Sequence, residues 1–141
     1  MQTRVKWIED LTFMAESPSG HGILMSAGAE NGGKDSCYRP MELLLMGLGG
    51  CASIDVVSIL KKARQNIIDC EADLSAERNQ GVPGYFTKIN VHFTVTGNAL
   101  SEKQVERAVA LSFDKYCSAS FMLREKAEIS WSYSTKEIDL S

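Results

Sequence analysis

The chain has 141 residues, 44% of them hydrophobic and 23% charged, a composition that excludes a disordered or fibrous protein and predicts one globular domain over residues 1–141. Fifteen Lys and Arg against eighteen Asp and Glu leave a formal charge of −3. No basic run is present to neutralise a series of phosphates, so nucleic acid is not an expected partner. Charges interrupt the opening MQTRVKWIEDLTF where a secretory signal needs an apolar stretch, and the expected location is cytoplasmic. In a reducing compartment the four cysteines, at positions 37, 51, 70 and 117, stay mostly as free thiols.

In chain order, Thr3 to Ile8 and Leu11 to Glu16 read as short strands. A turn at Ser17-Pro18-Ser19-Gly20 leads to a third strand near Gly22 to Ser26. Ala27 to Tyr38, rich in Gly, Asn and Asp, is a mobile loop by composition. The segment RPMELLLMGLGGCASIDVVSILKK, Arg39 to Lys62, then reads as a long helix. Pro40 suits its first position, and Glu42 favours the positive end of its dipole. From Leu43 to Leu60 the only polar side chains are Cys51, Ser53, Asp55 and Ser58, so the helix needs cover on most sides. Glu42 and Asp55 bracket an apolar run of twelve residues, short of the ~20 that a bilayer requires. Burial between two subunits is the expected solution, with no membrane involved.

Beyond the helix, Cys70, Ala72, Leu74 and Ala76 alternate with Glu71, Asp73, Ser75 and Glu77. After the turn Gln80-Gly81-Val82-Pro83-Gly84, Ile89, Val91, Phe93 and Val95 resume the alternation, which predicts an antiparallel hairpin. Ser101 and Gln104 form a capping-box signature before a helix whose Val105, Ala108, Val109 and Ser112 share one side. That helix breaks near Cys117, a shorter helical piece covers Ala119 to Arg124, and a last strand alternates Ala127, Ile129, Trp131 and Tyr133 with polar residues. The order is βββ-α-ββ-αα-β. Without regular strand-helix alternation, the fold class is α+β with antiparallel sheets.

The candidate chemistry lies in the cysteines. They show neither CxxC spacing nor a histidine pairing suited to zinc, so no metal and no other cofactor is expected. Cys70 shares a strand face with Ala72 and Leu74 and reads as a small buried hydrophobe; Cys37 lies in the loop. Cys51 follows Gly47, Gly49 and Gly50, three glycines that each weaken a helix by ~1 kcal/mol relative to alanine and so need a reason. Close packing of two helices is one; a kink that leaves Cys51 at a new helix start, with its thiol made more acidic, is the other. Neither His21 nor His92 is placed beside a thiol by spacing, which disfavours a Cys-His hydrolase. Met14, Met25, Met41, Met46 and Met122 read as core packing ahead of a pocket lining.

RPMELLLMGLGGC, followed 66 residues later by the second cysteine in KYCSAS, resembles the OsmC/Ohr family of osmotically inducible and organic hydroperoxide resistance proteins. The resemblance implies an intertwined homodimer with antiparallel sheets wrapped on a long central helix and active sites at the subunit interface. It implies a cysteine-based, peroxiredoxin-like peroxidase in which Cys51 attacks a small-molecule hydroperoxide, Cys117 resolves the sulfenate to a disulfide, and an external dithiol completes the cycle. In the family's hydroperoxide reductases a glutamate directly follows the proline and works with an arginine from the N-terminal strands. Here Met41 follows Pro40, and Glu42 comes one place later, turned by ~100° on a helix. Arg39 and Arg4 are the candidates for the missing positive charge, and Asp55, one turn beyond Cys51, adds a negative one. The expected site residues are Cys51, Cys117, Glu42 and Arg39. The alternative function is a non-catalytic binding module for a small apolar or thiol-reactive ligand.

Overall fold

The computed structural model describes residues 1–139. The element order is the expected βββ-α-ββ-αα-β, in two compact units that divide after Met46.

In the first unit β1 (Arg4–Glu9), β2 (Thr12–Glu16) and β3 (Gly22–Ser26) form an antiparallel sheet in that order, with Val5 opposite Ala15 and Phe13 opposite Met25. Asp10 takes a positive φ of 47° to turn β1 into β2, and the Trp7 indole N–H donates to its carbonyl at 2.7 Å. The glycine-rich stretch after β3 contains a single turn of 3₁₀ helix, Ala29–Asn31, which the composition did not announce. It is closed by Gly32 at φ 83°, a conformation other side chains resist. Lys34 pairs with Asp10 across 2.8 Å, tying this loop to the β1–β2 turn.

Helix α1 runs unbroken from Pro40 to Lys62. By length and composition alone its 23 residues would suffice to cross a membrane, a test that the core helix of a soluble protein passes as well. Within the second unit Leu48, Ala52, Val56 and Leu60, spaced by four, form a fully buried stripe. Burying each of the larger side chains contributes roughly 1.5–3 kcal/mol. Elsewhere on this part of the helix Val57 and Ile59 are half-buried, and Ile54 is 69% exposed.

Strands β4 (Asn66–Arg78) and β5 (Phe86–Asn98) make the long hairpin, Leu74 facing Val91 in register. Ile89, Val91, Phe93 and Val95 supply the inner face of β5 to the core. Helix α2 (Glu102–Leu111) starts as predicted, with the Ser101 hydroxyl accepting the Gln104 N–H, and buries Val105, Ala108 and Val109. Ser112–Tyr116 then form a π turn; α3 (Ser118–Leu123) follows, and β6 (Glu128–Glu137) ends the sheet in the order β4-β5-β6. Phe93 and Phe113 meet edge to face at 6.1 Å, locking the π turn to β5.

Two expectations are corrected here. The second sheet is mixed, because β6 pairs parallel with β5, Val91 beside Trp131. The helical passage α2–α3 is a crossover that carries the chain back to the end at which β5 began, and such connections produce parallel neighbours. The methionines do not fill the core: Met46 is 47% and Met122 73% exposed.

Candidate functional site

Cys51 sits in the interior of α1, half-buried, and all four cysteines are free thiols. The glycines before it do not kink the helix. A Cβ on Gly49 would come within 2.7 Å of Leu74 Cδ1 on β4, so this glycine admits a strand side chain against the helix. Gly47 and Gly50 face open space. The close-packing reading therefore holds at Gly49, with a strand in place of a second helix. The kinked alternative, with Cys51 at a fresh helix N-terminus, is not what forms. Inside a helix the backbone N–H groups are already bonded and none is free for a thiolate.

Cys117 lies where the sequence predicts a break, in extended backbone between the π turn and α3, and is 3% exposed. Its N–H donates to the Ser112 carbonyl at 2.7 Å, and its sulfur accepts the Ser120 N–H at 3.4 Å as the N-cap of α3. Cys51 and Cys117 are within interaction range of each other. Burial is the main influence pushing the Cys117 thiol above its ordinary pKa; the Ser120 hydrogen bonds oppose it, and the nearby Cys51 side chain, through a hydrogen bond and its charge, adds to the rise. Burial thus favours the protonated form of Cys117.

The charged residues named from the sequence each have a bonding partner. Arg39 pairs with Glu30 at 2.7 Å and with Asp35 at 3.2 Å. Glu42 Oε1 accepts the Arg39 N–H at 2.9 Å, the return half of a capping box at the start of α1. Asp55 accepts a hydrogen bond from the Ser112 hydroxyl at 3.0 Å. Ser112 is the residue the sequence reading passed over: grouped with the apolar side of α2, it is a fully buried hydroxyl, and a buried hydroxyl requires a partner.

The other candidates have local surroundings of their own. Cys70 on β4 is half-buried, its thiol raised by burial and, to a lesser degree, by Asp69. Cys37 lines an open apolar hollow of about 610 Å³ in the first unit with Met14, Ile23, Leu24 and Tyr38. His92 bridges the Ser132 and Ser134 hydroxyls at 2.7 and 3.1 Å, and His21 contacts Ser19 at 2.9 Å. Among the described residues no group of three His, Cys, Asp or Glu side chains is disposed to hold a metal. A cavity of about 370 Å³ does adjoin the Asp55 turn, lined by Asp55, Ile59, Lys62, Arg107, Leu111 and Tyr116.

Residues 33–132 match the family model described as OsmC-like protein. The chain is 53% identical over 133 residues to Protein YhfA of Escherichia coli strain K12, covering 94% of this chain and 96% of that one. A hypothetical protein from Aquifex aeolicus VF5 has a similar structure, with TM-score 0.87 and 28% identity over 98% of this chain and 97% of the other. An organic hydroperoxide resistance protein OsmC from Legionella pneumophila shares the fold with TM-score 0.73 at 18% identity, covering 95% and 97% of the two chains. This chain, with its two cysteines on α1 and at the π turn, belongs to the OsmC-like protein family.

Proposed function

We propose that this protein reduces organic hydroperoxides with the Cys51–Cys117 pair, as a single OsmC-like domain working as a cytoplasmic homodimer. The observation that carries the reading is that two free thiols, 66 residues apart in sequence, come within interaction range, one half-buried and one buried. The Legionella relative's name, organic hydroperoxide resistance protein, supports the substrate class.

In the proposed cycle the Cys51 thiolate attacks the distal peroxide oxygen. The O–O bond breaks, an S–O bond forms, and the alkoxide takes a proton and leaves as an alcohol. Cys117 then attacks the sulfenic sulfur and gives up its proton; hydroxide leaves with that proton as water, and the disulfide closes. An external dithiol returns two electrons and two protons. Burial favours the protonated form of Cys117, which suits it to the resolving role. Arg39 and Glu42 act here as the clasp of the loop and the cap of α1, and no step is routed through them.

The uncovered side of α1 supports the dimer. Open space beside Gly47 and Gly50 and an exposed Ile54 leave this side of the helix available for a second copy. A second reading, a non-catalytic binding module, draws on the 370 Å³ cavity, where Ile59, Leu111 and Tyr116 offer apolar walls for a small ligand.

Turnover separates the two. With cumene hydroperoxide and dithiothreitol, the protein is expected to consume peroxide well above the thiol background, and Cys51→Ser to fall to background. A protein that consumes none, while its thiols remain titratable, belongs to the binding reading.

A further inference from the structure

One serine is bonded to both elements that carry the thiols. Ser112 opens the π turn, fully buried; its single proton goes to Asp55 Oδ2 at 3.0 Å, with the Ala52 carbonyl next nearest at 3.4 Å. Ala52 and Asp55 belong to the turn of α1 directly after Cys51. On its other side, the Ser112 carbonyl accepts the Cys117 N–H at 2.7 Å. A hydrogen bond to a carboxylate is about twice as strong as one between neutral groups. Alanine would serve the apolar side of α2 as well as serine does, so helix packing alone does not account for the hydroxyl. A π turn inside a helical run is also a feature that recurs at functional sites.

We propose that Ser112, held by Asp55, is the positioning residue of the thiol pair, fixing the separation at which the Cys117 sulfur meets the Cys51 sulfur. The proposal rests on reading those two cysteines as a redox pair. A disulfide tolerates only a narrow range of Cα separations, about 4.4–6.8 Å, and a dihedral near 90°. The two sulfurs ride on different elements, α1 and the end of the π turn. The Asp55–Ser112 bond, together with the Ser112–Cys117 bond, is the short path between them. Asp55 thereby acts through structure, not as a proton acceptor for Cys51.

The test is the equilibrium of the full chain with glutathione, in which two glutathione thiols reduce the protein disulfide and leave as glutathione disulfide. The fraction of Cys51–Cys117 disulfide is read by alkylation and mass mapping. Ser112→Ala and Asp55→Ala are each expected to shift the constant roughly tenfold toward the dithiol, about 30 mV in potential. The double variant should shift no further than either single one, because both remove the same bond. Asp55→Asn keeps an acceptor oxygen and should stay within about threefold of the unaltered chain. A variant that merely loses stability lowers its melting temperature but leaves the potential in place. Should Ser112→Ala fail to fold, the contrast between Asp55→Ala and Asp55→Asn decides alone. Unshifted potentials in both alanine variants overturn the positioning role, whereas an unaltered chain that forms no Cys51–Cys117 disulfide overturns the redox-pair reading beneath it.

Discussion

Cys117 caps the helix that follows it: its sulfur accepts the Ser120 N–H at 3.4 Å, and Ser120 returns its hydroxyl to the Cys117 carbonyl at 3.0 Å. The same atom thus has a structural duty and a proposed chemical one, and substitutions separate them. Cys117→Ser retains a capping acceptor, while Cys117→Ala loses it at a cost of about 0.5–2 kcal/mol. Denaturant unfolding should rank the two accordingly. Both variants should accumulate a Cys51 sulfenate that dimedone traps, because neither has a resolving thiol; a stable variant without the adduct would argue against Cys51 as the attacking group.

The raised Cys117 thiol makes stability depend on pH with a definite sign. Burial, the chief cause, favours the protonated form in the folded state, so the folded thiol titrates above the unfolded one, whose pKa is about 8.5. The resulting stabilisation is complete below the unfolded value and is lost as pH rises through the folded value. Cys70, raised by burial, contributes with the same sign. Melting temperature should therefore fall as pH increases beyond 8.5, and less steeply in Cys117→Ser; an equal slope in both would show that the thiol carries none of it.

Along α1 the buried and exposed apolar residues should respond differently to substitution. Leu60→Ala, in the fully buried stripe, is expected to cost about 2–5 kcal/mol. Ile54→Lys, on the exposed side next to Gly47 and Gly50, should leave the fold intact and convert dimers to monomers in sedimentation equilibrium. An unaltered chain that sediments as a monomer would contradict the proposed interface.

Arg39 is predicted to be replaceable as far as chemistry goes. Its pairs with Glu30 and Asp35 are solvent-exposed, where ion pairs contribute little to stability. Arg39→Ala should change the rate of hydroperoxide consumption by less than about threefold. A loss of a hundredfold would place the guanidinium in the machinery.

The strands and helices of this chain were legible because each has a clean period. The alternation in β5 marks Ile89, Val91, Phe93 and Val95 as inward-facing, and all four are buried. Both the capping serine at 101 and the break at Cys117 are local signals that survive folding. The parallel placement of β6 was hidden, since strand alternation is the same for either direction. Three glycines in one short segment have no single cause: Gly49 is packed on Leu74, while a Cβ on Gly47 or Gly50 would meet only open space among the described residues. The sequence singled out the two cysteines but not the buried bond of Ser112 to Asp55, because serine fits an amphipathic pattern as readily as alanine does. Arg39 and Glu42 were named from the family resemblance, and their bonds here hold the loop and the start of α1.

The most direct test of the central claim is peptide mapping under non-reducing conditions after one equivalent of cumene hydroperoxide per chain. The account predicts loss of two thiols and a Cys51–Cys117 disulfide within the chain, with Cys37 and Cys70 still free. Four titratable thiols, or a disulfide that joins any other pair, would contradict it.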